Sequence, residues 1–328
     1  MQKTLSVINL RNIRANALKI RAKTGNKKLF AVVKADAYGH GAEEVARAIE
    51  DVCDGFCVAI TDEGAALRIA GISKPILVFA PPLDRADVER SALYGLDLTV
   101  NSVKTARLIG GLSAECRLHI KVNTGMNRTG CNLKELPEVL RVADTRFLEG
   151  VYSHLYAPQN AAACHNQLKI FNRAEELVRS KKPDVCAHIS ASGGLLRGGG
   201  FIKDGVRAGI LLYGYAPSGF SASGFKPAMR VYARRTQQTG FIGGGVGYNY
   251  ADREYKRLSA YRLGYADGFL RGVPLGEKTL CMDAFLRDGG GELLCVMKDA
   301  DEYARRCGTI SYEVLTSVTR RSEKIYVR

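Results

Sequence analysis

The sequence predicts an α/β fold, a (β/α)8 barrel followed by a smaller β-rich domain, and three observations carry that expectation. Short apolar runs recur eight times through the first two-thirds of the chain, at 29–33, 56–60, 76–80, 96–100, 118–122, 148–152, 185–189 and 210–213. Most are separated by stretches with helical spacing, and strand alternating with helix eight times favours a closed barrel over a doubly wound open sheet. No G-x-G-x-x-G opens a helix after the first run, which removes the best support for the open sheet. After about Gly214 the helical signals thin out and short strands dominate.

The helical stretches fall at 43–49, 63–70, 85–93, 104–109 and 167–178. Asp62, Asp84 and Ser102 stand where an N-cap would accept the first free backbone N–H groups. The runs Gly198–Gly199–Gly200 and Gly243–Gly244–Gly245 lack a phosphate-binding spacing and read as turns. Pro217, Ser218, Gly219, Ser221, Ser223, Gly224 and Pro227 form a loop-like connection. That sets a boundary between a barrel at 1–226 and a β-rich domain at 227–328 with one helix near 300–306.

Composition narrows the function classes. At 328 residues the chain is long enough for two domains. A net charge of +15 suits anionic substrates as well as nucleic acid, but the basic residues are dispersed and form no nucleic-acid-binding signature, so no such partner is expected. Nine cysteines without a CxxC pair read as reduced thiols, and adjacent Cys164 and His165 lack the further ligands a metal needs. No apolar run approaches the length of a membrane span and Met1–Gln2–Lys3 opens no signal peptide, so a cytoplasmic protein is expected.

In barrels of this kind chemistry gathers at the C-terminal ends of the strands. Lys34 closes the first apolar run, where burial strips hydration from an ammonium and lowers its pKa, as a Schiff-base lysine requires. An ordinary lysine snorkelling from a strand end would look the same. On the same face Lys121 and the segment ending in Arg128 follow the fifth run, Ser153 and His154 the sixth, Ser190 and Ser192 the seventh, and Arg207 opens the eighth. Singly, His154 reads as a core histidine, Arg128 as a surface cation and Ser192 as a helix cap; Arg207 at that depth needs an acceptor. Together they suit an aldehyde cofactor carrying a phosphate, pyridoxal phosphate.

These residues lie in motifs that resemble the alanine racemase family. Ala31–Val32–Val33–Lys34–Ala35–Asp36–Ala37–Tyr38–Gly39–His40–Gly41 resembles its pyridoxal phosphate motif. Five more follow in the family's order: 121–130 (KVNTGMNRTG), 206–210 (VRAGI) with Tyr213–Gly214, 264–268 (GYADG), 281–283 (CMD) and 309–312 (TISY). The resemblance spans about residues 5 to 315.

The resemblance implies that Lys34 holds pyridoxal phosphate and acts as one catalytic base, while Tyr265 of the partner subunit in a homodimer with shared active sites is the other. Two bases on opposite faces of a planar carbanion are what stereoinversion requires. A phenol with a reference pKa of about 10 needs cationic neighbours to serve as that base, and His154 and Arg207 resemble such a relay. Arg207 would also pair with the pyridine nitrogen; it cannot give up a full proton, so the ring is a weaker electron sink and transamination is disfavoured. Arg128 would touch the cofactor's phenolic oxygen and the substrate carboxylate, positioned by Lys121, which resembles a lysine often carbamylated. Tyr38, Ser192, Tyr312 and the N–H groups of Gly209 and Ile210 would hold the phosphate, Met282 would meet the substrate through its backbone, and Asp283 would support the site.

The implied activity is interconversion of L- and D-alanine, a peptidoglycan precursor. Serine or a broader range of small amino acids is the alternative, and decarboxylation of basic amino acids by the same barrel class is disfavoured by Arg207, where a carboxylate would be expected. Two departures stand out. Only 17 positions separate Tyr265 from Met282, so the second domain reads as trimmed, and Asn123 and Asn127 replace the acidic or small residues expected beside Thr124 and Met126.

Overall fold

The structure, a computed structural model, describes residues 4–111, 116–198 and 200–328; Met1 to Lys3 and Gly199 of the first glycine run lie outside the described residues. Two units emerge, one of residues 13–35 and 42–226, the other of residues 1–12, 36–41 and 227–328.

The first unit is a closed barrel of eight parallel strands: Lys28–Val32, Gly55–Val58, Ile76–Val78, Leu98–Val100, Leu118–Lys121, Leu148–Tyr152, a seventh interrupted at Ile189 into Cys186–His188 and Ser190–Ala191, and Gly205–Ala208. Each pairs with the next, the third and fourth through a bridge between Leu77 and Asp97. The eighth returns to the first with Arg207 opposite Phe30. Helices cover the outside and side chains fill the inside, so the strands are buried on both faces, Lys28 and Glu149 apart, and read as nearly continuous apolar runs rather than alternating ones.

Asp84 and Ser102 cap their helices, accepting from the N–H groups of Asp87 (3.0 Å) and Thr105 (3.2 Å). Two local expectations differ from the structure. Asp62 is not a cap: the helix Thr61–Ile69 starts after Ile60, and it is Glu63 that reaches back, accepting from the Ala59 and Ala35 N–H groups, both at 2.7 Å. The run 210–213 is not a strand but a 3-10 turn, Ile210–Tyr213. The eighth strand ends just before it, because Gly209, at φ −118° and ψ −93°, turns the chain out of the extended region. A fully buried four-residue run has no periodicity to tell the two apart.

In the second unit a mixed sheet runs in the order Phe285–Asp288, Arg257–Arg262, Met229–Gly240, Leu5–Asn9, Glu323–Val327, with Leu293–Met297 also pairing Met229–Gly240. Leu5–Asn9 pairs antiparallel with the long strand and parallel with the last one, so the amino terminus is built into the sheet of the carboxyl-terminal half; a linear boundary at 226 leaves it on the other side. Helices Ala300–Cys307 and Ser311–Ser317 complete the unit. Among the described residues no helix is long and apolar enough to cross a membrane.

Candidate active site

The chain leaves the first barrel strand through Lys34 into a turn that no local signal announces. Residues Lys34–Tyr38 form one helical turn in which Ala35, Asp36, Ala37 and Tyr38 all have φ between 51° and 54°, a left-handed helix of ordinary L-residues. Left-handed helix costs roughly 1–2 kcal/mol per residue, so the surroundings must hold it. Glu63 anchors the Ala35 N–H, and Lys324 pairs with Asp36 at 2.8 Å. Gly39, at φ +79°, has no room for a side chain: a Cβ there would overlap the Leu315 carbonyl oxygen.

In the barrel unit, Lys34, Lys121, Arg128 and Arg207 crowd around His154. Burial, then Arg128, lowers the pKa of Lys34. Lys121, 8% exposed, is pushed down to about 8 by burial and then by Arg128, Arg207 and Lys34. His154 falls to about 3 through burial and the same four cations, so its imidazole is neutral and the positive charge expected of the pair resides on Arg207. Glu63 offsets part of the charge at Lys34. A pocket of converging cations whose mutual repulsion depresses its own amines calls for an anion, and a phosphate with a phenolate and a carboxylate satisfies it.

Arg207 is 2% exposed, and its donors go to the carbonyl oxygens of Ser153, His188 and Ile189, to Nδ1 of His188 at 2.8 Å and toward Nδ1 of His154 at 3.5 Å. Among the described residues no carboxylate pairs with it. Ser192 Oγ accepts from the Gly209 N–H at 3.1 Å, which ties the turn after the seventh strand to the turn after the eighth. Ile210 is buried beside them. Arg128 is exposed and leaves a loop closed by asparagines: Asn123 Oδ1 accepts from the N–H groups of Gly125 and Asn127, both at 3.1 Å. Asn127 sits at φ 56°, a conformation asparagine tolerates better than most residues. Thus the two asparagines that depart from the expected pattern shape the turn that presents Arg128.

In the other unit, Tyr38 and Tyr312 meet with ring centroids 5.8 Å apart, and burial raises the Tyr312 phenol to about 12, so it is a donor at neutral pH. Tyr265 opens a 3-10 turn whose N–H groups are held by the strand-like segment opposite: Tyr265 donates to the Cys281 carbonyl at 3.1 Å and Ala266 to that of Met282 at 3.0 Å. Asp267 caps the turn through the Gly264 N–H at 2.8 Å. Asp283 bonds Arg321 at 2.7 Å, and Arg321 lies 3.7 Å from Asp267, so a single arginine joins Asp283 to the residue that caps the Tyr265 turn.

Sequence reading missed three buried polar residues of the barrel lumen, Asp97, His119 and His188. The available signal was a histidine in the middle of each of two apolar runs, at 119 and 188, where full burial demands a partner.

Residues 8–217 match the family model for the alanine racemase N-terminal domain. The alanine racemase of Carboxydothermus hydrogenoformans is 32% identical over 371 aligned positions that take in all of both proteins; since this chain has 328 residues, it is shortened internally relative to that relative. That of Cutibacterium acnes is 31% identical across 98% of this chain and 97% of its own length. Among solved structures, the alanine racemase of Clostridium difficile superposes with a TM-score of 0.91 at 27% identity, covering 100% of this chain and 96% of that one. The alanine racemase of Bartonella henselae, with covalently bound pyridoxal phosphate, gives 0.84 at 25% identity and covers all of both chains. Family model, sequence and fold agree, and the chain belongs to the alanine racemase family.

Proposed function

We propose that this protein interconverts L- and D-alanine with pyridoxal phosphate, using Lys34 and Tyr265 as the two bases. The observation that carries the reading is the cationic pocket around His154, which fits an anionic aldehyde cofactor and a carboxylate substrate at once. When bound, pyridoxal phosphate supplies an aldehyde for the Lys34 amine and a ring that withdraws electrons from the amino acid's Cα.

The protein's own residues do the rest. Lys34, its pKa lowered, holds more of its amine neutral near pH 7 than a free lysine would and so accepts a proton at Nζ. Tyr265 Oη takes the opposite face, returning or removing a proton; the guanidinium of Arg207, with neutral His154 against it, stabilises the phenolate that this demands. Arg207 would meet the ring nitrogen as a donor that stays protonated, which would leave the ring a weaker electron sink and speaks against a decarboxylase. Arg128 orients the substrate carboxylate, and carbamylation of the depressed Lys121 amine would convert a repelling cation beside it into an anionic partner. Tyr38, Ser192, Tyr312 and the N–H groups of Gly209 and Ile210 would hold the phosphate, and Met282 would meet the substrate through its backbone. The active form is a cytoplasmic homodimer in which Tyr265 of the partner subunit completes each site.

Proton NMR of the purified protein with pyridoxal phosphate and L-alanine in deuterated water, with chiral analysis of the same sample, tests the reading. Loss of the α-proton together with growth of D-alanine is expected, and slower exchange with L-serine. Loss of the α-proton without D-alanine removes Tyr265 from the mechanism; no exchange at all overturns the activity.

A further inference from the structure

A line of four buried side chains crosses the barrel lumen. Asp97 Oδ2 lies 3.5 Å from Nε2 of His119, His119 Nδ1 lies 3.1 Å from Nε2 of His188, and His188 Nδ1 lies 2.8 Å from Nη1 of Arg207. The four come from the fourth, fifth, seventh and eighth strands or the residue before them, and all are buried. Asp97 stands just ahead of its strand, at the amino-terminal mouth of the barrel, whereas Arg207 belongs to the cationic pocket.

The two ends dictate where every proton sits. Arginine has donors only, so Nδ1 of His188 must offer its lone pair. The neutral ring then carries its hydrogen on Nε2 and donates it to Nδ1 of His119. That leaves His119 with its hydrogen on Nε2, the nitrogen 3.5 Å from a carboxylate oxygen that only accepts. Protonating His188 would set N–H against N–H at Arg207; burial, and then Arg207 itself, hold its pKa well below the usual value. The Tyr152 ring stacks on His188 (centroids 5.2 Å apart, planes 10° apart) and lies beneath Arg207 (5.2 Å), so both planes are fixed.

We propose that Asp97, His119 and His188 are positioning residues for Arg207, a one-directional relay that fixes the guanidinium by a neutral imidazole while keeping its counter-charge two rings away. The proposal rests on the racemase reading, in which Arg207 faces the cofactor ring. A carboxylate placed directly on Arg207 would neutralise the charge that the site uses. Two intervening imidazoles keep its orienting effect and leave that charge whole. The competing reading is that Asp97 only anchors the partly exposed Arg117, whose Nε it meets at 2.7 Å.

Two measurements on the full-length protein separate them. Long-range proton–nitrogen NMR of 15N-histidine-labelled protein, with and without pyridoxal phosphate, should show His119 and His188 neutral and carrying hydrogen on Nε2. A hydrogen on Nδ1 of either ring, or a doubly protonated ring, overturns the relay whatever the activity. Asp97→Leu should shift both histidines' nitrogen resonances and lower kcat about 10–100-fold with KM changed less than about threefold, as loss of an outer-shell orienting partner does. Arg117→Met should leave kcat at the wild-type level, and in that background Asp97→Asn, free to turn its one amide oxygen toward His119, should keep most of the activity that Asp97→Leu loses. Wild-type kcat in Asp97→Leu, or an equal loss in Arg117→Met, overturns the positioning role. If Asp97→Leu fails to fold, the wild-type tautomers still decide; if the wild type does not racemise alanine, the racemase reading falls while the nitrogen resonances still judge the relay.

Discussion

The barrel unit and the sheet unit contribute to one proposed reaction in opposite ways. Arg207 and Lys121 are 2% and 8% exposed, locked among lumen side chains, whereas Tyr265 and Met282 are 37% and 52% exposed in the single chain. The barrel residues sit on strands whose positions eight closed pairings fix, and Tyr265 sits on a three-residue turn held by backbone hydrogen bonds. The contrast is between side chains locked inside a closed barrel and side chains exposed on a short turn, and the proposed mechanism asks a partner subunit to cover the second group.

The sharpest way to break that comparison is to remove one base from each unit. Lys34→Ala should abolish the visible absorbance of the bound cofactor and nearly all turnover. Tyr265→Phe should keep the absorbance and lose about 10²–10⁴-fold in racemisation, the usual worth of a positioned acid–base group. Absorbance spectra and chiral product analysis on both variants check this, and normal racemisation by Tyr265→Phe would sink the two-base assignment.

A smaller effect probes the crowding inside the barrel. Lys121 has a pKa near 8 in the folded state against 10.5 for an unperturbed lysine. Between these values the unfolded chain binds more protons, so this group's contribution makes the fold more stable as pH rises from about 8 toward 10.5. Thermal unfolding of cofactor-free protein should show wild type gaining on Lys121→Met as pH rises through that window; a gap that stays flat would mean that Lys121 is not held among the other cations.

The smallest expected effect tests the segment that leads out of Lys34. Ala35 is exposed and left-handed at φ 51°. Ala35→Gly should therefore stabilise the protein by about 0.5–1 kcal/mol, relief of left-handed strain less the entropy of glycine, where the same change in an ordinary helix destabilises. Denaturant unfolding reads the sign directly.

Much of this was legible from residue order alone. Seven of the eight apolar runs lie on barrel strands, and two of the three proposed caps accept the expected N–H groups. The eighth run misled because a buried run of four looks alike as strand or turn, and Asp62 misled because Glu63, one residue on, reaches the same backbone with a longer arm. The cations that gather around His154 were legible because lysine and arginine beside buried strands contradict their own solvation preference.

Sequence by itself determined the barrel, the place of Lys34 and the family, because periodicity, burial preference and motif order are properties of residues taken in succession. Tertiary structure alone decided the rest. The left-handed turn at 35–38 exists because Glu63, Lys324 and the space above Gly39 hold it, against the preference of every residue in it. The neutrality of His154 is set by its burial and by four cations brought together from the first, fifth and eighth strands and the turns that follow them, and the Asp97–His119–His188–Arg207 line joins residues up to 110 positions apart. Electrostatic fields and hydrogen-bond directions depend on distances through space, and only closing the barrel creates those distances.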